Sequence, residues 1–260
     1  LLGHSFGELA ALAVAGVYSF ETGVRIVCQR SKLLRQLSNG GQMAAATADT
    51  IRVQQAINSI GLASLEIAVV NHAKQTVVSG MPEHLAELGR VLAGQGIGLT
   101  PLKSRYPFHS SLLKPVVEAF RLALCSYDFQ PPLVPVYLCT EGRLLTPADR
   151  LSDVLSDQLV KKLDFAGILT QLHGRGFRQF VECGAGNIIG KLIQQSEFAG
   201  VEAYSAAADG VAEGCAKLLS LAASTTKPIG AEMVHDLVKG LRQSLENASR
   251  YQAQLYLNDT

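Results

Sequence analysis

The spacing of apolar positions changes several times along the chain, and each change marks an element. Residues 8–15 are strong helix formers that stop at Gly16. Residues 20–37 predict a second helix, with Val24, Ile26, Val27, Leu33 and Leu34 on its apolar side and Ser38-Asn39-Gly40-Gly41 as its stop. From Gln42 the pattern shortens. A strand is predicted at 43–46, a helix at 50–60, a strand at 65–70, and a turn at 71–75 into a strand at 76–80. A helix over 82–94 and a strand at 97–100 complete the segment. The order β-α-β-β-α-β is that of a ferredoxin-like unit lying between two helical stretches, as an inserted subdomain would.

Beyond Tyr106 the spacing predicts a helix at 111–123, a boundary at Pro131-Pro132, a strand at 134–138 and helices at 154–163 and 168–174. A buried strand at 179–183 then enters a glycine-rich turn, followed by a helix at 188–195. Helices alternating with short apolar strands imply an α/β domain with a mainly parallel, hydrolase-like sheet. Residues 1–41 and 106–223 are read as a discontinuous large subdomain, and 42–105 as the ferredoxin-like small subdomain. Residues 224–260 read as a linker and an amphipathic helical tail, with Val234, Leu237, Val238, Leu241 and Leu245 at helical spacing.

The chemistry begins where the chain begins. Gly3-His4-Ser5-Phe6-Gly7 has the G-x-S-x-G spacing that puts a serine on a tight strand-to-helix turn. The hydroxyl stands clear there, at a helix N-terminus, and the N–H of Phe6 is available to an oxyanion. Both glycines are read as clearance for the turn. A serine nucleophile needs a base, and the six histidines offer a choice. His4 is inside the elbow, either structural or lining the site. His72, His84, His173 and His235 have no partner pattern. His109 follows Tyr106-Pro107-Phe108 and precedes a helix, so it is the candidate base.

Composition narrows the partners. A net charge of +1 argues against broad attraction to nucleic acid or to an anionic membrane, and no apolar run is long enough to span a bilayer. The five cysteines are scattered and never spaced C-x-x-C, which implies reduced thiols in a cytoplasmic protein, without a disulfide framework or a metal site.

These residues together resemble the malonyl-CoA:acyl carrier protein transacylase family, which includes the acyltransferase domains of fatty-acid and polyketide synthases. The likeness runs over residues 1–221. Gly3-His4-Ser5-Phe6-Gly7-Glu8 is similar to the family's GHSxGE elbow, and Phe108-His109-Ser110 to its FHS motif around the catalytic histidine. Arg30 stands where the family grips the malonyl carboxylate. Val77-Val78-Ser79-Gly80 resembles its VxSG hairpin, with Asn71 as the asparagine just before it. Glu182-Cys183-Gly184-Ala185-Gly186 resembles its E-x-G-P-G loop, with alanine in place of proline. Gln158 matches a position that orients the histidine in some members.

The resemblance implies a ping-pong transfer from malonyl-CoA, through an acyl-Ser5, to the phosphopantetheine thiol of an acyl carrier protein. No bound cofactor is implied. Phe6 and Phe108 would narrow the pocket beside the acyl group, and His4 and Asn71 would line it. A ketosynthase or other synthase domains in the same polypeptide are the further partners it implies. The family takes its second oxyanion donor from an N-terminal G-Q-G loop that this sequence does not contain. The chain is therefore expected to carry half of an oxyanion hole and, alone, to fold poorly and turn over slowly. Two rivals keep much of this reading: an editing acyl hydrolase, which would lack Arg30, and a non-catalytic synthase domain, which would not need Ser5, His109 and Arg30 together. A generic α/β-hydrolase would place its histidine late in the chain, not ahead of some 150 further residues.

Overall fold

Leu2 pairs in parallel with Tyr137, and the Tyr137 N–H donates to the Leu1 carbonyl at 2.8 Å. From this short pairing the chain turns at Ser5 into α1 (Gly7–Val14). The computed structural model describes residues 1–37, 40–184, 186–196, 198–205 and 220. The expected linker and tail beyond 224, Ser38-Asn39, Ala185 and Cys215 lie outside the described residues. The chain divides into two compact units, the first being Leu1–Gly176 and the second starting at Phe177.

In the first unit, α1 is followed by α2 (Phe20–Leu34), which starts where Ser19 Oγ accepts the Thr22 N–H at 3.1 Å. A 3-10 turn (Ser111–Leu113) leads into α5 (Lys114–Leu124), and α6 (Leu151–Asp157) packs against it. Pro115 occupies the first turn of α5, where a missing N–H costs little. Leu12, Ile26, Leu34, Phe120, Leu124 and Leu155 from these elements form one buried cluster with Leu138. Burial of each such side chain contributes about 1.5–3 kcal/mol.

The ferredoxin-like order is present in the same unit. β1 (Gln42–Ala46), α3 (Thr50–Ile60), β2 (Glu66–His72), β3 (Gln75–Gly80), α4 (Pro82–Ala93) and β4 (Leu99–Pro101) follow in sequence. The strands pair antiparallel in the order β4-β1-β3-β2. Val53, Ile57, Leu85, Leu88 and Leu92 of the two helices pack with Ala44, Ala46 and Val78 of the sheet.

The helix expected at 154–163 stops early. After Asp157 the N–H groups of Leu159 and Val160 bond back only three residues, and Leu163 begins a two-residue strand, β7 (Leu163–Asp164). That strand extends the ferredoxin-like sheet, parallel to β2 at Val69–Leu163 and Val70–Asp164. The tightened turn also frees the Leu159 and Lys161 carbonyls for use elsewhere. Asp164 caps α7 (Phe165–Gly174), and a short antiparallel pair, β5 (Tyr137–Leu138) with β6 (Arg143–Leu144), completes the unit.

The second unit pairs β8 (Gln179–Glu182) in parallel with β9 (Glu202–Ser205), and α8 (Ile188–Gln195) packs on both. Glu182 caps α8, accepting the Ile188 and Gly190 N–H groups at 3.2 and 2.9 Å. β8 was expected to be buried. Its residues instead alternate between exposed and half-buried, the period of a strand covered on one face. Strand pairing across the described residues is therefore mixed within an α/β frame.

Candidate active site

Ser5 sits in left-handed backbone, φ +52°, where the strand stub becomes α1. For a residue with a Cβ this costs about 1–2 kcal/mol. Gly7, Glu8 and Leu9 donate back to the His4, Ser5 and Phe6 carbonyls, which leaves the Phe6 N–H outside that ladder at the helix start. A Cβ on Gly3 would lie 2.2 Å from the Glu8 nitrogen, so only glycine fits beneath the turn. The clearance expected at Gly7 is not needed: a Cβ there meets nothing within 4 Å.

His109 is the other described non-glycine residue in left-handed backbone, φ +59°. Its N–H donates to the Leu159 carbonyl at 2.8 Å, and its Nδ1 lies 2.9 Å from the Lys161 carbonyl. A carbonyl only accepts, so Nδ1 carries the proton. Nε2 is then an acceptor, and the Ser5 hydroxyl donates to it at 2.7 Å. Burial holds the imidazole well below its ordinary value, at about 4; hydrogen bonding to Lys161 opposes this, and the nearby His4 and Arg30 add to it. The ring is a neutral base at neutral pH.

Gln158 does not orient His109 through its side chain. Its Nε2 donates to the Ser5 carbonyl at 3.0 Å and to the Glu8 carboxylate. The side chain therefore braces the elbow, and the imidazole is steadied by backbone carbonyls. Glu8 is fully buried, and its other oxygen accepts the Cys139 N–H at 2.6 Å. Burial raises its pKa, against the hydrogen bonds from Gln158 and Cys139.

Arg30, on α2, is 6% exposed and makes no ion pair among the described residues, and its Nε has no hydrogen-bond partner. The guanidinium lies 4.8 Å from the Phe108 ring centroid and 5.6 Å from that of Phe6, cation–π contacts on the residues next to His109 and Ser5. Burial lowers its pKa to about 10, so it stays charged at neutral pH. A buried, unpaired cation is costly, and a planar anion is the partner its fork fits. Phe6 is 53% exposed, so its ring does not seal the cation from entering groups.

His4 and Asn71 also meet. His4 Nε2 lies 3.1 Å from Asn71 Oδ1, its ring stands edge-on to Phe165 at 5.0 Å, and Asn71 Nδ2 donates to Gln75 Oε1 at 2.7 Å. Burial lowers the His4 pKa. The structure thus brings Ser5, Phe6, Arg30, Phe108 and His109 together, with His4 and Asn71 on the elbow's flank and Gln158 behind it. Leu159 and Lys161 act through backbone carbonyls, which carry no residue signal in the sequence. Glu8 lies within the GHSxGE run, and its role as a buried acceptor for Gln158 and Cys139 emerges only from the fold. Among the described residues no group of three or more His, Cys, Asp or Glu side chains could hold a metal ion, and no helix is long and apolar enough to cross a membrane.

The model of the acyl transferase domain family matches residues 1–197. The non-reducing polyketide synthase terA of Aspergillus terreus is 32% identical over 68% of the chain, which spans 8% of that protein. The polyketide biosynthesis malonyl CoA-acyl carrier protein transacylase PksC of Bacillus subtilis is 29% identical over 74% of the chain and 67% of its own length. The crystal structure of the acyltransferase domain from the second module of the salinomycin polyketide synthase superposes with a TM-score of 0.76 at 28% identity, over 86% of this chain and 53% of that one. With a family match over most of its length and an elbow, histidine and arginine in one place, the chain belongs to the acyl transferase domain family.

Proposed function

We propose that this chain moves a malonyl group from CoA to the phosphopantetheine thiol of an acyl carrier protein, with Ser5 as the covalent carrier. The observation that carries the reading is Arg30: a buried guanidinium without an anion, stacked on the residues beside the Ser5–His109 pair. A neutral acyl group would leave that charge unpaired. A malonyl group supplies the carboxylate, and the fork would hold it at two points. An editing hydrolase has no use for this cation.

In this reading Ser5 Oγ attacks the thioester carbonyl as His109 Nε2 takes its proton. The Phe6 N–H donates to the resulting oxyanion. Collapse breaks the C–S bond, and the imidazolium returns the proton to the departing CoA sulfur. The carrier thiol then gives its proton to His109 and attacks the acyl-serine, and the Ser5 oxygen leaves with that proton. The Lys161 carbonyl keeps Nδ1 protonated throughout, which preserves the acceptor at Nε2. A relative named as a malonyl CoA-acyl carrier protein transacylase supports both donor and acceptor.

The test is to incubate the full-length protein with malonyl-, methylmalonyl- or acetyl-CoA and weigh it intact, then add a phosphopantetheinylated carrier protein. A malonyl adduct on Ser5 that passes to the carrier is the expected result. Preferential acetyl loading would overturn the Arg30 assignment, and loading that survives Ser5→Ala would overturn the nucleophile.

A further inference from the structure

Two side chains of the β2–β3 hairpin grip the backbone on either side of His109. Glu66 and Ser79 are direct cross-strand partners, so they leave the same face of the sheet. The buried Ser79 hydroxyl donates to the Phe108 carbonyl at 2.6 Å. The Glu66 carboxylate accepts the Ser111 N–H at 3.0 and 3.2 Å, and the Ser111 hydroxyl donates to it as well. Anchors at 108 and 111 thus bracket the left-handed residue at 109. A conformation of that kind persists where its surroundings over-determine it.

We propose that Glu66 and Ser79 are positioning residues for His109, holding its backbone in the one conformation that aims Nε2 at Ser5. The inference rests on His109 acting as the base. Neither side chain hydrogen-bonds to the imidazole, whose Nδ1 is held by the Lys161 carbonyl while the Leu159 carbonyl accepts the His109 backbone N–H. Those two tethers fix the ring and one N–H. The hairpin fixes the peptide units before and after. Without it, φ at 109 is free to relax and Nε2 swings off the serine. The hairpin lies 29 or more residues away in sequence and belongs to the ferredoxin-like strands, so that sheet has a part in the chemistry beyond its own packing.

The experiment uses Ser79→Ala, Ser79→Thr and Glu66→Gln in the full-length protein. One readout is single-turnover malonylation of Ser5 across malonyl-CoA concentrations. The other is phosphonylation of Ser5 by a fluorophosphonate probe, which needs an activated serine but no carboxylate grip. Ser79→Ala and Glu66→Gln are each expected to lower the limiting rate of both reactions by about 10- to 100-fold, the size of effect of misplacing a general base. Half-saturation by malonyl-CoA stays unchanged. Ser79→Thr, which keeps the hydroxyl, regains most of the rate. The Ser79→Ala/Glu66→Gln double variant is no slower than the worse single, because both act through one displaced ring.

Wild-type limiting rates in both single variants, even with a lower melting temperature, would overturn the proposal and leave a stabilising contact only. If Glu66→Gln does not fold, Ser111→Ala removes one of its partners and is expected to slow both reactions by about 2- to 10-fold; no change there would overturn the Glu66 half. A wild-type protein that is phosphonylated but never malonylated would refute the acyl donor proposed above, while the positioning test is still read from phosphonylation.

Discussion

The Arg30 guanidinium stands 4.8 Å from the centroid of the Phe108 ring, one residue from the histidine that pairs with Ser5. The Phe6 and Phe108 rings are its cation–π partners, and its Nε has no hydrogen-bond partner. Arg30→Ala is expected to lower kcat/KM for malonyl-CoA by roughly 100-fold, the worth of charge-assisted hydrogen bonds. Acetyl loading holds or improves, because no buried cation is then left unpaired. Arg30→Lys falls between, since a point charge cannot make two parallel bonds. Competition between the two thioesters, read by intact mass, checks all three.

The depressed His109 pKa sets a pH dependence. The base form requires an unprotonated imidazole, and burial, aided by His4 and Arg30, holds the group at about 4. Ser5 acylation is therefore expected to stay level as pH falls from 8 to about 5, and to drop only as it approaches 4. A histidine at its ordinary value of about 6.5 would have lost half its base form by about pH 6.5 and nearly all of it by about pH 5. Single-turnover rates across this range decide between the two, and NMR titration of the imidazole gives the same quantity without substrate.

Gln158 bridges the Ser5 carbonyl and a fully buried Glu8. Gln158→Leu leaves both acceptors short of a donor and is expected to destabilise the fold by about 1–3 kcal/mol. The denaturant midpoint reports the loss. Because the bridge braces the elbow and not the imidazole, the pH limb of Ser5 acylation should not move.

The two glycines of the elbow separate cleanly. Gly3→Ala drives a Cβ to 2.2 Å from the Glu8 backbone and is expected to abolish folding or loading. Gly7→Ala meets only open space at the first residue of α1 and is expected to leave the melting temperature unchanged or slightly raised. Melting curves of the two variants, side by side, test the contrast.

Much of the site was legible because its residues sit in short motifs: Ser5 and Phe6 in one, Phe108 and His109 in another. The helices at 50–60 and 188–195 were equally plain, since periodicity and punctuation agree there. What stayed hidden is what depends on chain parts far apart. β7 is two residues long and exists because β2 offers it an edge, so no local pattern announces it. Gln158 reads as a histidine partner by position, but its amide finds the buried Glu8 carboxylate, and a carbonyl three residues later takes the imidazole. The reach of Glu66 to Ser111, 45 residues on, follows from strand register alone.

Ser5 keeps its left-handed backbone at a cost that glycine would not incur. Replacing it by glycine relaxes φ, removes a hydroxyl from a partly open site and leaves the turn's other contacts in place. Stability and chemistry therefore pull in opposite directions at this one position. A library of variants ranked by heat tolerance alone would drift towards molecules that fold better and carry nothing, so any effort to harden this chain has to select for the acyl-serine as well as for the fold.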